Sequence, residues 1–411
     1  MQRCREPGTL SLPDKEVVMS AKKNSEGMHR REFLKVGLVG TTSAILGGSV
    51  LAEAAVQYAE NAPFVFPQPV FRTLGRTGLK ISVVSYGAML TPEAEVLKIA
   101  IDNGVNYIDT ARKYMDGRNE EIVAKALKGR RDKVYVATKT LPGSRSKDDI
   151  IRDVETSLKT LETDHIDVIQ LHNLEGKERI FVPETREALA KLKKDGKVRF
   201  CGVTTHKNEV EVLNALVDDK ERFFDTCLVK YNFESPKEVG EAIARAAKAG
   251  VGIVAMKTQA GGYKTEAMGK ISPHQAALKW ALQNPNVTMA IPGMKDLSQF
   301  KENVAVMGMP FQYADERILR KYHAAVAGFY CDLCGTCEGS CPRGVAISTI
   351  NRALMYAEGG YQDRGLAVAT YRELPSSALA DACLECPVCT AQCSKGLNIA
   401  AKMERARAVL A

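Results

Sequence analysis

Between residues 70 and 307, short apolar runs alternate with amphipathic stretches eight times. The apolar runs are rich in β-branched residues and nearly continuous, which is typical of parallel strands buried on both faces. Several amphipathic stretches end at a glycine, where a helix C-terminus favours a left-handed residue. The pattern therefore predicts an α/β fold, a (β/α)8 TIM barrel. A doubly wound open sheet is the alternative, but no GxGxxG motif follows the first strand.

The elements of this barrel can be placed on the sequence. The predicted strands are 81–87, 107–110, 134–139, 166–172, 198–204, 224–231, 252–257 and 287–293. The predicted helices are 92–103, 119–128, 147–161, 184–195, 208–218, 236–249, 273–283 and 297–307.

Ionisable side chains stand at the ends of three successive predicted strands. These are Asp109, Lys139 and His172, and Tyr114 lies in the loop after the first of these strands. Each has an ordinary structural explanation when taken alone. Because strand ends meet at the C-terminal face of a barrel, and because buried ionisable groups are costly unless paired, together they predict an active site.

The four side chains suit proton transfer to a carbonyl oxygen. Tyr114 would donate the proton, and the Lys139 ammonium is expected to lower the pKa of that phenol. Asp109 would pair with Lys139, and His172 would orient the carbonyl oxygen. No side chain can deliver hydride to the carbonyl carbon, so this chemistry implies a nicotinamide cofactor.

Eight of the eleven cysteines form two copies of a CxxCxxCxxxC frame near the C-terminus. This spacing predicts [4Fe–4S] cluster binding, one or two clusters in all. A disulfide framework is expected instead in small secreted domains, and a zinc site more often uses two CxxC pairs. The first frame ends in Cys341-Pro342, as in bacterial ferredoxins, whereas Ser394 stands in the proline position of the second. The predicted iron ligands are Cys331, Cys334, Cys337, Cys341, Cys383, Cys386, Cys389 and Cys393.

The sequence around these frames predicts helices. Residues 311–330 form a predicted connecting helix, and 346–358 and 365–373 are predicted helices between the frames. We therefore expect a mainly helical, ferredoxin-like domain at residues 331–411, here called the C-terminal module. Whether Cys341 and Cys393 each bind the cluster of the opposite frame is left open by the spacing.

The N-terminus predicts export. Arg30-Arg31 precedes a weakly apolar run at 36–55 that ends in small residues, which resembles a twin-arginine signal. The predicted signal region is 1–55, the barrel 56–310, and the location periplasmic or otherwise extracytoplasmic, with no permanent transmembrane span after cleavage. A basic N-terminal helix of a cytoplasmic protein is the alternative, and Met28 is an alternative start to Met1.

The charge of the chain only limits the functions that are possible. The formal net charge is +8, and part of the excess lies in the signal region. No basic stripe interleaved with aromatic residues predicts nucleic-acid binding.

Several motifs resemble the aldo/keto reductase superfamily over residues 70–307. The matching segments are 71–79 for the opening hairpin, 109–120 for the signature around the acid, 166–172 for the histidine strand, 291–293 and 302–303. The resemblance implies a barrel, a small carbonyl or alcohol substrate, and a catalytic tetrad formed by Asp109, Tyr114, Lys139 and His172. The cysteine region resembles the ferredoxin-like appendage of one prokaryotic branch.

The resemblance also implies which residues hold NADP or NAD. The implied residues are Thr204, Met256, Lys257, Gly293, Lys295 and Asn303. Several depart from the commoner pattern: Thr204-Thr205 replaces a Ser-Asn pair, Leu228 a glutamine, and Met256 a stacking aromatic residue. Gly293 and Gln299 stand where a lysine and an arginine often grip the 2′-phosphate, so Lys295 and the backbone N–H groups at Leu297 would bind it.

Two functions follow from these patterns. In the first, the barrel interconverts a carbonyl and an alcohol with NAD(P)H while the clusters are structural or serve an external electron-transfer partner. In the second, the barrel is a weakly catalytic or non-catalytic nucleotide-binding scaffold of an exported redox complex. The complete tetrad favours the first function, and the altered nicotinamide contacts favour the second.

Overall fold

The computed structural model describes residues 64–141, 144, 146–264 and 272–411. The predicted signal region and both alternative start sites lie outside the described residues. Residues 65–411 form one compact unit.

The strands and helices of this unit have the following bounds. The strands are β1 (Phe71–Thr73), β2 (Lys80–Ser82), β3 (Tyr86–Gly87), β4 (Tyr107–Asp109), β5 (Tyr135–Lys139), β6 (Ile166–Leu174), β7 (Val198–Thr205), β8 (Thr226–Lys230), β9 (Gly252–Met256) and β10 (Met289–Ala290). The helices of the barrel are α1 (Ala94–Asp102), α2 (Arg118–Leu127), α3 (Lys147–Thr160), α4 (Pro183–Lys194), α5 (Glu209–Asp218), α6 (Lys237–Lys248), α7 (Pro273–Gln283) and α8 (Leu297–Val304). The remaining helices are α9 (Tyr313–Val326), α10 (Ile347–Glu358), α11 (Arg364–Arg372) and α12 (Ile399–Leu410).

The predicted barrel is confirmed. Strands β3 to β10 form an eight-stranded parallel sheet in sequence order. Parallel bridges from Val84 to Ala290 and from Gly87 to Gly293 join its first and last strands. A barrel brings the C-terminal ends of all its strands to one face, and that face holds the candidate site.

A hairpin covers the opposite end of the barrel. Strands β1 and β2 pair antiparallel, and Leu74 and Leu79 between them are buried. A Cβ on Gly252 would lie 2.7 Å from Leu74, so this strand needs a glycine where the hairpin packs. The predicted strand 81–87 is wrong as one element: it consists of β2 and β3. The hydroxyl of Ser85 donates to the Ser82 carbonyl at 2.8 Å and stabilises the turn between them.

Two apolar layers build the barrel. Side chains such as Val168, Val254 and Met289 fill its interior. A larger cluster lies between the sheet and the surrounding helices and includes Leu97, Val154 and Ile243. The strands are therefore buried on both faces, which explains why their sequences lack clean alternation.

The C-terminal module is helical in its described residues, as predicted, and packs on the barrel. Its apolar core includes Ile350, Leu354 and Met403, and it continues into Tyr322 of α9 and Ala260 of a barrel loop. Helix α12 was not predicted from the sequence. The Asn398 side chain caps this helix by accepting from Ala401 N at 3.1 Å, a signal that the sequence does carry.

Candidate active site at the barrel mouth

Asp109 and Lys139 form a buried ion pair at the ends of neighbouring strands β4 and β5. Lys139 Nζ donates to Asp109 Oδ1 at 2.5 Å and to the Thr110 carbonyl at 2.6 Å. Gln170 Nε2 donates to the other carboxylate oxygen at 2.8 Å. Asp109 is 2% exposed and Lys139 1%. These hydrogen bonds satisfy both charges, so the two side chains are held in place below the mouth of the barrel.

Tyr114 lies above this pair in a 3₁₀ turn, Tyr114–Gly117. Met115 and Asp116 in this turn have φ of 53° and 54°. Lys139 Nζ lies 4.7 Å from the centroid of the Tyr114 ring. The His172 ring meets Tyr114 edge-on, with centroids 6.0 Å apart. The structure therefore brings together the four residues that the sequence predicted to meet, here called the catalytic group.

The expectation that Lys139 lowers the pKa of Tyr114 is wrong. Burial, followed by the charge of Asp109, raises the pKa of Tyr114 well above its usual 10. Because Asp109 lies so close to the Lys139 ammonium, it cancels much of the field that would favour a phenolate. Tyr114 is therefore a protonated acid at neutral pH.

An irregularity in β6 sets the position of His172. The register between β6 and β7 shifts between Leu171 and Leu174, and Asn173 adopts φ of 54°. Such irregularities re-aim side chains near active sites. The Nδ1 atom of His172 is buried and has no hydrogen-bond partner among the described residues. Burial and then the Lys139 charge lower the pKa of His172 well below 6.5, so the imidazole is neutral.

A cavity of about 790 Å³ opens at this mouth. Asp109, Tyr114 and His172 line one part of it. Four residues implied for cofactor binding line it as well: Met256, Lys257, Gly293 and Asn303.

The other two implied cofactor residues, Thr204 and Lys295, are not among its described lining residues, and both side chains are engaged elsewhere. The Thr204 hydroxyl accepts from Asn173 N at 2.7 Å. The Lys295 ammonium donates to the Tyr361 carbonyl.

One wall of the cavity was not predicted from the sequence. Arg352, Tyr356 and Tyr361 of the C-terminal module line it, and we call them the module wall. Arg352 Nη1 donates to Asn173 Oδ1 at 3.1 Å. Lys257 Nζ reaches the hydroxyls of Tyr356 and Tyr361 at 3.1 and 2.9 Å. The one available signal was an arginine within the apolar helix 346–358, and nothing in the sequence placed that helix over the barrel.

The two cysteine frames lie side by side. Cys341 lines a cavity of about 280 Å³ together with Cys383, Cys386 and Cys389 of the other frame. Ser394, next to Cys393, lies with its hydroxyl 3.8 Å from Cys334 Sγ.

The environment of the thiols follows the same grouping. Burial, with smaller contributions from Cys337, Cys334 and Cys393, raises the pKa of Cys331 to about 12. The pKa of Cys383 is raised by burial and then by Cys341, Cys386 and Cys389. Within the described ranges, no three His, Cys, Asp or Glu side chains are arranged to hold a single metal ion.

No helix in the part of the chain that the structure describes is both long and apolar enough to cross a bilayer.

The chain is a (β/α)8 barrel protein with a candidate active site at its mouth, and comparison with known proteins identifies its family. The aldo/keto reductase family model matches residues 90–271 and 263–322, so the chain belongs to this family.

Named relatives belong to the same family of oxidoreductases. L-galactose dehydrogenase of Arabidopsis thaliana is 27% identical over 57% of this chain and 87% of that protein. Methylglyoxal reductase YeaE of Escherichia coli is 27% identical over 57% and 86%. The match to oxidoreductase YqkF of Bacillus subtilis, at 39% identity, spans only 34% of this chain and 50% of that protein.

Solved structures of the family share the barrel. An aldo-keto reductase from Bacillus halodurans superposes with a TM-score of 0.53 at 26% identity, covering 62% of this chain and 96% of that one. A Klebsiella pneumoniae aldo-keto reductase in complex with NADPH gives 0.52 at 25%, covering 62% and 95%. These matches cover the part of the chain that forms the barrel. They give no support to cluster binding by the cysteine frames.

Proposed function

We propose that the protein interconverts a carbonyl and an alcohol by nicotinamide-dependent hydride transfer at this mouth. The observation that carries the proposal is the buried Lys139–Asp109 pair beneath a protonated Tyr114 and beside a neutral His172. A protonated phenol can donate to the carbonyl oxygen, while a neutral imidazole can hydrogen-bond the same oxygen without competing as an acid.

The proton and the electron pair both have an assigned course. In the direction of reduction, the carbonyl carbon would receive a hydride from a nicotinamide held in this cavity. The C=O π electrons move to oxygen, and the Tyr114 hydroxyl gives that oxygen its proton. The Lys139 ammonium lies beside the tyrosinate that remains and offsets the repulsion from the Asp109 carboxylate. Proton uptake from solvent restores Tyr114.

The described cavity fits a dinucleotide in part. It runs from the catalytic group to Met256, Gly293 and Asn303, and its volume lies in the range of ligand sites. Lys257 is a cation at its edge with only phenol partners among the described residues. The Asp296 carboxylate caps α8 by accepting from Gln299 N at 2.9 Å, so it competes with a phosphate at that helix end. We infer NADP from the NADPH-bound relative, with NAD as the alternative.

The test is Tyr114→Phe in the purified full-length protein. Carbonyl reduction should fall about 10²- to 10⁴-fold, the usual contribution of a general acid. NADPH affinity, followed by nicotinamide fluorescence, should not change. Unchanged turnover would exclude Tyr114 as the acid. A wild-type protein that shows neither turnover nor nucleotide binding would favour the scaffold function instead.

We also propose that the C-terminal module holds two [4Fe–4S] clusters with exchanged fourth ligands. One would be bound by Cys331, Cys334, Cys337 and Cys393, and the other by Cys383, Cys386, Cys389 and Cys341. The shared lining of the 280 Å³ cavity supports the second set. In a cubane each thiolate binds a different iron, so four sulfurs surround a cluster without converging on one ion.

Paired substitutions distinguish exchanged from unexchanged ligation. With exchange, Cys341→Ala with Cys383→Ala disables one cluster and should leave about four irons per chain of about eight. Without exchange, the same pair disables both clusters. Cys331→Ala with Cys341→Ala is the reciprocal control, expected to remove nearly all iron only if ligation is exchanged. Iron content and visible absorbance measure both outcomes.

Export is the last part of the proposal. The twin-arginine pattern at Arg30-Arg31 supports secretion of the folded, cluster-loaded protein to an extracytoplasmic compartment. Cell fractionation of the full chain against Arg30→Lys with Arg31→Lys tests it. A periplasmic wild type with a retained double variant is the expected result, and equal distribution of the two would contradict it.

A further inference from the structure

Arg352 is a buried cation on the wall of the active-site cavity. It lies on α10 of the C-terminal module, is 9% exposed and lines the cavity. Its Nη1 donates to a neutral group, the side-chain oxygen of Asn173, at 3.1 Å. Asn173 directly follows His172 in β6. The guanidinium is therefore held beside the catalytic group by an amide.

No described carboxylate pairs with Arg352, and its Nε is buried without a hydrogen-bond partner. Two of the six carboxylates that line the same cavity form ion pairs with other cations. Asp109 pairs with Lys139, and Glu373 pairs with Lys113. The positive charge of Arg352 therefore has no ion-pair partner among the described residues.

An uncompensated buried charge is costly, and proteins tolerate it mainly where function uses it. A planar guanidinium with free donors is the side chain best suited to a carboxylate. We propose that the carbonyl substrate carries a carboxylate, which Arg352 binds while Tyr114 and His172 receive the carbonyl oxygen. The proposal rests on the proposed function and names its substrate class, an oxo acid.

The position of Arg352 favours the substrate over the cofactor as the source of the anion. Its anchor, Asn173, belongs to the histidine strand, whereas Gly293 and Asn303 of the proposed nucleotide site follow β10. The other cation without a described carboxylate partner, Lys257, directly follows β9 and is better placed for a cofactor phosphate. In the reaction, the oxo acid, NAD(P)H and one proton give the hydroxy acid and NAD(P)⁺, and the carboxylate is unchanged.

A matched substrate pair tests the charge alone. 4-Carboxybenzaldehyde and methyl 4-formylbenzoate share the ring and the aldehyde and differ in the carboxylate. The wild-type protein should reduce the acid with a kcat/KM at least about 10-fold higher than the ester. Arg352→Met should lower kcat/KM for the acid about 30-fold or more, mainly through KM, because one partner of a buried charge pair is lost. The ester should change less than 3-fold, by about the scatter of surface substitutions.

Two further variants separate binding from folding. Arg352→Lys keeps the charge and should recover part of the acid preference. Arg405→Met removes an exposed arginine of the same module, one that pairs with Glu358. It should leave kcat/KM unchanged for both substrates. Thermal unfolding checks that each variant is folded. If Arg352→Met does not fold, the acid-to-ester ratio of kcat/KM for Arg352→Lys decides. A ratio equal to that of the wild type, despite the changed side-chain geometry, would overturn the proposal.

Equilibrium binding gives a readout that does not depend on turnover. 4-(Hydroxymethyl)benzoate, the alcohol product, should bind the wild-type protein in calorimetric titration and bind Arg352→Met at least about 10-fold more weakly. Equal use of acid and ester by the wild type would overturn the proposal while leaving the proposed function intact. Loss of NADPH affinity in Arg352→Met would also overturn it and assign Arg352 to the cofactor. If neither aldehyde is reduced, the proposed function fails, and the titration alone decides the anion site.

Discussion

The catalytic group and the module wall face the same cavity, but they balance their charges differently. On the barrel side, the Lys139 ammonium has a carboxylate and a carbonyl as partners, and a glutamine holds the carboxylate from the other side. On the module side, Arg352 has an amide, and Lys257 opposite has two phenols. The charges on the barrel side are therefore satisfied by protein groups alone. The module side has donors left for a ligand.

This difference also separates chemistry from recognition. Proton transfer needs groups whose geometry and pKa are fixed before the substrate arrives, as the paired charges of the barrel side are. Recognition can use groups that are stabilised only when the ligand binds, which is what uncompensated cations offer. Such groups lower the stability of the free protein, and ligand binding restores that stability.

The largest effect should come from breaking the buried pair. Lys139→Met leaves the Asp109 carboxylate buried without its ammonium, and we expect a loss of about 3–5 kcal/mol in unfolding free energy. Denaturant unfolding measures it. Lys98→Met is the matched control, because Lys98 pairs with Glu95 at the surface and should lose less than about 1 kcal/mol. Equal losses in the two variants would show that Lys139 is not stabilised by its pair.

The barrel side was predictable from sequence because its signal is periodic. Each of Asp109, Lys139 and His172 ends a buried strand, and the barrel fixes where strand ends meet. The module wall was not predictable, because its contacts join residues such as Arg352 and Asn173 that are 179 positions apart and follow no repeat. The raised pKa of Tyr114 also escaped prediction. It depends on burial and on the distance from Asp109, which only coordinates give.

The next effect concerns how closely the module wall meets the barrel. Gly360 N donates to the Gly261 carbonyl at 3.0 Å, and a Cβ on Gly360 would lie 2.0 Å from the Gly262 carbonyl oxygen. Because backbone must move, Gly360→Ala should cost about 1–3 kcal/mol and weaken ligand binding at the cavity. Thermal unfolding and product titration measure the two effects.

Gly328→Ala is the control for this substitution, since a Cβ there meets nothing within 4 Å. It should leave both measurements near wild type. If Gly360→Ala binds 4-(hydroxymethyl)benzoate as the wild type does, the fit of the module wall to the barrel does not matter for the site.

A smaller effect should appear in the pH dependence of stability. Burial, followed by Arg352 and Lys257, lowers the pKa of His206 well below 6.5. The unfolded chain then binds more protons than the folded chain below about pH 6.5, so stability falls as pH falls. His206→Gln should remove about 1 kcal/mol of the loss between pH 7.5 and 5.5. Chemical denaturation at both pH values checks this, and an unchanged loss would mean that His206 is protonated in the folded protein.

The smallest effect should come from Lys257, a lysine without a carboxylate partner among the described residues. Burial and then Arg352 lower its pKa well below 10.5, so charging Lys257 costs more in the folded protein than in the unfolded chain. This mismatch destabilises the fold below the unfolded pKa and weakens as pH rises. Lys257→Met keeps most of the stem and should leave stability at pH 7 within about 1 kcal/mol of wild type, or raise it.

Lys230→Met is the contrasting variant for this last prediction. Lys230 is 4% exposed, pairs with Glu209 at 3.0 Å and donates to the Asp332 carbonyl of the C-terminal module. Its loss should cost about 3–5 kcal/mol, since it leaves a buried carboxylate unpaired. Urea unfolding of both variants at pH 7 compares a paired with an unpaired lysine in the same barrel. A loss for Lys257→Met as large as for Lys230→Met would show that the phenols of Tyr356 and Tyr361 stabilise a charged Lys257, and that the module side is as complete without a ligand as the barrel side.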